Sequence, residues 1–444
     1  RCFFICLYVS AVNHTRIVFK FWGPDQCTES ILGIFLSCYI CDPEDRLDAE
    51  AVARPDGTLG YSYLNERKLK QHMLKKPKII FSTYDDLKNP VYGGGGAFAV
   101  HEVAKRLTDT FDVTVLTGNY PQAKNETVDG VPYRRIGVPF FPGRFGQFLY
   151  HFVLLWHVWR EPHDAWIESL TPRISTWFIP LCTKKPVIGL VHMLSGQEMR
   201  RKYLLPFTII EKFGLKFYRH FIVIAEDYVE KIRMHNPTAH IELIGNGVQV
   251  PPVQNTTVDK KCLSFIGRIE IDQKGIEILL DAYVEIRKEI GIPLLIAGSG
   301  PKAEMARLEK MIDQRGIRDS VSVLGRIEGK EKERFFQKTM VGVVPSRYET
   351  FTLVALEMMS YGIPVVAFDV DGLKWAPEKS LVRVAPFDAP ALVHSIVKLA
   401  GDSALCEEIS KKARAYAETR SWDAVSKEYE RYITEVLTAE KHHE

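Results

Sequence analysis

The stretch Pro345-Ser346-Arg347-Tyr348-Glu349-Thr350-Phe351-Thr352-Leu353-Val354-Ala355-Leu356-Glu357 carries the reading of this chain. An apolar run at 341–344 precedes it and a helical pattern at 352–360 closes it. That makes a strand, a loop and a helix. Glu349 falls in the loop and Glu357 on the helix. The backbone amides of Phe351, Thr352 and Leu353 fall at the helix start, where an anion such as phosphate is favoured. A carboxylate on the helix can accept two hydrogen bonds from a ribose diol, and a carboxylate in the loop can meet a sugar hydroxyl.

Moving outward, a second constellation precedes this one. Leu263-Ser264-Phe265-Ile266-Gly267 reads as a strand closed by Arg268, and Lys274 sits just before Gly275 opens a helix. Two cations at the carboxyl end of a strand, beside a helix start, form an anion site able to neutralise a diphosphate without a metal. Further strand-like runs lie at 78–82, 112–116, 165–168, 187–191, 221–224 and 241–244. A second set lies at 262–266, 293–297, 321–324, 341–344, 364–368 and 381–384. Helical patterns separate them. Apolar strands alternating with helices argue for parallel sheets covered on both faces. The alternation breaks at Gly245-Asn246-Gly247-Val248-Gln249-Val250-Pro251-Pro252, a Gly/Pro boundary. The expected organisation is therefore an N-terminal extension, 1–72, of uncertain fold, then one Rossmann-like domain over 73–250 and another over 251–421. A last helix, 422–444, follows. Two such domains enclose a cleft, a preferred ligand site.

Composition sets the limits. The chain has 444 residues, of which 46% are hydrophobic and 25% charged, with formal net charge +3. That balance fits folded, multi-domain protein and excludes dominant disorder. The near-neutral balance gives no argument for nucleic acid. No apolar run reaches the roughly 20 residues needed to span a bilayer. Five of the eight cysteines, Cys2, Cys6, Cys27, Cys38 and Cys41, crowd into the first 41 residues. Residues 1–72 show no sustained strand–helix alternation and read as an appendage ahead of a domain that starts near Met73.

Taken together, the motifs resemble the retaining, nucleotide-sugar-dependent glycosyltransferases of the GT-B fold, glycosyltransferase family 4. Glu349 to Glu357 is similar to that family's E-x7-E signature. Gly267-Arg268 with Lys274-Gly275 resembles its diphosphate clamp, Ile296-Ala297-Gly298-Ser299-Gly300-Pro301 its central strand and turn, and Asn246-Gly247-Val248 its interdomain link. Gly93-Gly94-Gly95-Gly96 with the helix after it resembles the opening of the first domain. The resemblance covers roughly 77–440. It implies that Arg268 and Lys274, with the amides of Phe351, Thr352 and Leu353, hold the donor diphosphate. Glu357 would hold the ribose. Glu349 would contact the transferred sugar and His192 would lie near it. Gly93, Gly94, Gly95 and Gly96 would let the first domain's backbone approach donor and acceptor. The last helix would return to brace the first domain. The donor would be a UDP- or GDP-linked sugar, the acceptor a hydroxyl on a glycan, a lipid-linked sugar or a small molecule. No metal or other cofactor is expected. Two departures stand out: Thr352 where the family often has Gly, and Asp369-Val370-Asp371-Gly372-Leu373 where it often has Gly-Gly and an acid.

Other readings compete. The departures favour a non-catalytic GT-B binding subunit; an epimerase of the same fold is a further alternative. Asp369-Val370-Asp371 resembles a phosphatase or D-x-D metal motif, but falls late, after an independent phosphate site. Gly94-x-Gly96 does not directly follow its strand, which argues against a dinucleotide fingerprint. Cys38-x-x-Cys41 lacks two further zinc ligands at sensible spacing. A basic, aromatic helix spanning Arg200 to His220, with the aromatic stretch 145–159, fits peripheral contact with an anionic membrane; a core-facing helix with a solvated face is the plainer reading. The expected location is cytoplasmic, on or near the membrane face.

Overall fold

In the computed structural model, the residues described are 49–53, 59–63, 76–89, 93–138, 144–170, 176–204, 206–252 and 261–441. The chain forms two units, 1–75 and 76–444. In the first, β1 (Ala49–Ala53) and β2 (Leu59–Tyr63) pair antiparallel, with Ala49 opposite Tyr63. Cys38 and Cys41 lie outside the described residues.

The second unit holds two sheets. Strands β3 (Lys78–Thr83), β4 (Asp112–Gly118), β5 (Glu126–Val128), β6 (Val131–Ile136), β7 (Ala165–Leu170), β8 (Val187–Val191), β9 (His220–Val223) and β10 (His240–Leu243) make the first. Its order is β10-β9-β8-β7-β3-β4-β6-β5. All neighbours are parallel except the β5–β6 hairpin. Strands β11 (Cys262–Ile266), β12 (Leu294–Ala297), β13 (Val321–Gly325), β14 (Thr339–Val344), β15 (Val365–Phe368) and β16 (Val382–Val384) make the second, ordered β13-β12-β11-β14-β15-β16 and wholly parallel. The central strands are buried throughout: β7 and β8 expose no residue, and Ile79 to Thr83 are all buried. Strands covered on both faces must be continuously apolar, which is what their Ile, Val and Leu runs supply. Each fully buried side chain of that kind contributes about 1.5–3 kcal/mol over its exposed state.

The β5–β6 hairpin carries no apolar run, and its strand pattern escapes a periodicity reading. Its turn is nonetheless written in Asp129-Gly130, both at positive φ, 49° and 83°. That is the mirror-image turn two-residue hairpins favour.

A single helix from Arg200 to His220 does not form. Two short helices, Gly196–Tyr203 and Phe207–Gly214, are separated at Leu204, which takes a left-handed φ of 56°, and Pro206. Proline cannot continue the first helix.

The chain passes between the sheets twice at one place. The Val248 amide donates to the Arg420 carbonyl at 2.8 Å, and the Trp422 amide donates to the Val248 carbonyl at 3.2 Å. A Cβ at Gly247 would sit 2.7 Å from the Trp422 ring, so only glycine lets the strands close here. The helix Trp422–Lys441 then buries Trp422, Val425, Tyr429 and Ile433 in one cluster with Ile79, Phe81, Val100 and Val103 of the first sheet's layer.

Candidate functional site

In each sheet the strand order reverses direction between two neighbours, β3 and β7 in the first, β11 and β14 in the second. Ligands of open parallel sheets bind at the carboxyl ends beside such a switch point. In the second sheet those ends lead to Gly267-Arg268 and to Pro345-Ser346-Arg347-Tyr348-Glu349. Backbone geometry draws the two loops together. Gly275, at φ 61°, ends the one-turn helix Ile271–Lys274, and a Cβ there would lie 2.0 Å from the Pro345 carbonyl oxygen. This close approach lets Lys274 Nζ donate to Glu349 Oε1 at 2.6 Å, while Ser346 Oγ donates to the same oxygen at 2.7 Å. Both side chains are largely shielded, at 19% and 10% exposure, so the pair is screened far less than a surface pair. The Arg347 amide donates to the Gln273 carbonyl at 2.9 Å, a second tie between the loops.

Arg268 is exposed, 3.5 Å from Glu270, and lines a groove of about 390 Å³ with Gln273, Pro301 and Glu304. Glu357, on the helix Leu353–Ser360, accepts from Lys332 Nζ at 2.6 Å. The amides expected at this helix start are not all open. The Thr352 amide donates to the Gly372 carbonyl at 3.2 Å and the Leu353 amide to the Phe351 carbonyl at 3.1 Å. The Thr352 hydroxyl reaches the same Gly372 carbonyl at 3.2 Å, and Trp375 Nε1 donates to it at 2.7 Å. The two departures from the family pattern therefore meet in one cluster of hydrogen bonds. Gly372 is forced to be small, because a Cβ there would fall 2.5 Å from Glu349 Cβ. Phe351, Trp375 and Tyr416 stack behind the loop, at ring separations of 5.0 and 5.7 Å. Asp369 and Asp371 each face a cation, Arg383 at 3.6 Å and Lys374 at 2.6 Å. Among the described residues no three His, Cys, Asp or Glu side chains gather to hold a metal ion.

The first sheet brings its own candidates to the opposite side. Gly94 caps the helix Gly95–Leu107. A Cβ on Gly95 would meet Leu353 Cδ1 at 2.9 Å, and one on Gly96 would lie 3.8 Å from the His192 ring. The glycine loop thus stands between His192 and the start of the Leu353–Ser360 helix. His192 follows β8 and is buried; its Nε2 has no partner among the described residues. Burial pushes its pKa down to about 4, so it is neutral at physiological pH.

Two acids that motif reading passes over lie just past β3. Burial pushes the Asp85 carboxyl up to about 6, and the Arg268 charge, from the other sheet, pulls it back. Asp86 is wholly buried. Its carboxylate accepts from Thr117 Oγ1 at 2.6 Å, Arg135 Nε at 2.8 Å and the Lys88 amide at 2.8 Å. That network pins the loop that carries Asp85. The only sequence signal for it is an acidic pair directly after a buried strand.

Two facing sheets of this topology, with a linker and a returning helix, define the GT-B fold. Residues 93–250 match the model of Glycosyltransferase Family 4 and residues 260–402 that of Glycosyl transferases group 1. A D-inositol 3-phosphate glycosyltransferase of Xylanimonas cellulosilytica is 30% identical over 296 residues, covering 60% of this chain and 68% of that protein. The chain belongs to glycosyltransferase family 4. An uncharacterised glycosyltransferase of Methanocaldococcus jannaschii is 34% identical over 173 residues, covering 38% of this chain and 44% of the relative, so the chain spans less than half of that relative's length. Among solved structures, the sucrose-phosphate synthase of Thermosynechococcus elongatus superposes with a TM-score of 0.69 at 22% identity, over 82% of this chain and 100% of that one. Anabaena HepE, in complex with UDP-glucose, superposes with a TM-score of 0.64 at 16% identity, over 81% and 100%. At these identities the superpositions speak for the fold.

Proposed function

We propose that this chain transfers a hexose-type sugar from a nucleoside diphosphate donor to a hydroxyl acceptor, with retention of configuration and without a metal ion. The observation that carries the reading is the Lys274–Glu349–Ser346 contact at the second sheet's switch point, facing His192 and the glycine loop. On this reading the diphosphate lies against Arg268 and Lys274, the ribose on Glu357 and the sugar between Glu349 and His192. As the bond from the anomeric carbon to the phosphate oxygen breaks, negative charge collects on the phosphate. Arg268 and Lys274 stabilise that charge; one preorganised contact of this type is worth about 3 kcal/mol of barrier. The acceptor oxygen attacks from the face the phosphate leaves and passes its proton to the departing phosphate oxygen. Neutral His192 offers a hydrogen bond to a sugar hydroxyl. The UDP-glucose bound by HepE supports a uridine-linked donor, and such donors favour a cytoplasmic site.

The test is the thermal stability of the full chain with UDP, GDP, ADP and their sugars. A ligand at a hundred times its dissociation constant adds about 2.7 kcal/mol to the stability of the folded state. One nucleoside diphosphate should raise Tm selectively. A folded sample that shifts with none of them contradicts the proposal.

A further inference from the structure

We propose that the first domain docks on an anionic membrane surface through an aromatic ridge flanked by cations. Only the choice of acceptor rests on the sugar-transfer reading; docking itself does not.

The helix Arg144–Arg160 buries one side and exposes another. Tyr150, Leu154 and Val158 face the core. Phe148, Phe152, Trp156 and Trp159 are 47%, 50%, 50% and 74% exposed. At about 100° per residue, these four positions fall within an arc of about 80°, so they form one stripe. A helix that is apolar on both sides is normally buried on both.

The stripe does not stand alone. Ring contacts run from Phe152 to Trp177 at 5.4 Å, Trp177 to Phe178 at 5.5 Å, Phe178 to Phe217 at 5.7 Å and Phe217 to Phe213 at 5.2 Å. Phe213 and its neighbour Ile209 are again more than half exposed, on the helix Phe207–Gly214. The ridge therefore joins two helices. Trp177 is itself buried and Phe178 and Phe217 half-buried, so the exposed rings of the two helices are joined beneath the surface; exposed apolar clusters of this kind mark interaction sites.

Charge selects the partner. The Arg160 guanidinium lies 5.1 Å over the Trp156 ring. Trp159 and Leu181 share a cavity of about 480 Å³ with Lys184 and Lys185. Lys212 and Lys216, both exposed, flank Phe213. The nearby Glu211 is turned inward, accepting from the Gly196 amide at 2.8 Å. Aromatic side chains rimmed by lysine and arginine match the boundary of a bilayer that carries negative headgroups. Among the described residues no helix is long and apolar enough to cross a membrane.

Position gives the ridge a purpose. The helix follows β6 and leads into β7, two strands that are both parallel to the sheet's centre. Its first turns therefore lie at the carboxyl edge, and its last turn, with Trp156 and Trp159, reaches the amino edge ahead of β7. The His151 and Trp177 rings are 5.5 Å apart. A lipid-borne hydroxyl would meet the cleft at the end of the same surface.

The test is co-sedimentation of the full chain with vesicles of phosphatidylcholine alone and of phosphatidylcholine mixed with phosphatidylglycerol. Wild type should sediment with the anionic vesicles and not with the neutral ones. Trp156→Ser with Trp159→Ser should remove binding. Lys184→Glu with Lys185→Glu should weaken it at least about tenfold. Both pairs are exposed, so the fold is retained, and the Tm shift with a nucleoside diphosphate serves as control. Absence of vesicle binding by wild type, equal binding to both vesicles, or binding unchanged in both variants overturns the proposal. So does a wild-type dimer that the tryptophan variant dissociates, since a second copy would then cover the ridge. If vesicles bind but no nucleotide shifts Tm, docking stands and the sugar-transfer reading falls.

Discussion

The two carboxyl edges of this protein are finished in opposite ways. On the second sheet, charged groups are satisfied by one another: Lys274 with Glu349, Lys332 with Glu357, Lys374 with Asp371. On the first, three neighbouring strands end on buried polar atoms with no partner among the described residues: Thr83 Oγ1 closing β3, Ser169 Oγ near the end of β7, and His192 Nε2 just past β8. A buried polar atom left unpaired costs about 1–3 kcal/mol. The second edge is preorganised by the chain itself. The first leaves these three groups without a partner among the described residues, and on the proposed reading a hydroxyl-bearing acceptor supplies it.

The sharpest way to break this contrast is Glu349→Ala. Turnover should fall by about a hundredfold to a thousandfold, while calorimetry should show nucleotide binding kept, because Lys274 is left free for phosphate. Unchanged turnover would remove Glu349 from its role. Next in size is Gly372→Ala. Its Cβ would fall on Glu349 Cβ and carbonyl, both closer than 3 Å, so the loop must move. We expect kcat to drop by about a hundredfold, as a misplacement of about 1 Å can cost, with far-UV circular dichroism unchanged.

The first sheet's prediction concerns pH. Burial pushes the Glu168 carboxyl up to about 8, against a smaller opposing pull from the Tyr218 hydroxyl, which donates to it. The folded state thus keeps a proton that the unfolded state releases near its ordinary pKa, about 4.5. Stability from this group is complete at acid pH and is lost as pH rises from about 4.5 towards 8. Glu168→Gln should flatten that slope in chemical denaturation. An unaltered slope would mean the carboxyl is ionised when folded. The smallest expected effect is at Thr83→Val, which removes an unpartnered hydroxyl. It should leave stability equal or higher, by up to about 1 kcal/mol, and raise KM for the acceptor but not for the donor. A clear loss of stability would show that the hydroxyl already has a partner.

The sequence is most legible where burial is most complete. β11 and β8 coincide with the apolar runs at 262–266 and 187–191 because a strand covered on both faces leaves no other pattern. β6 escapes notice for the opposite reason. It contains Pro132, Arg134 and Arg135, yet Arg135 is buried, since Asp86 neutralises it across 49 residues of chain. Spacing placed Glu349 and Glu357 on a loop and a helix. It could not show that Lys274, 75 residues away, closes on Glu349, or that Thr352 bonds Gly372 across 20. Such pairings depend on the sheet order, which local pattern does not encode. Asp85 shows the same limit: its interest comes from Arg268, a residue of the other sheet.

On the proposed reading the second edge is a ready-made, metal-free clamp for a nucleoside diphosphate. It is tested most directly by calorimetric titration of the full chain with UDP and GDP in the presence of EDTA, beside the Arg268→Ala, Lys274→Ala double variant. The account predicts one site per chain in the wild type, weakened at least about a hundredfold in the variant, as two charge-assisted hydrogen bonds are removed. Binding that requires added divalent cation, or equal affinity in wild type and variant, would contradict it.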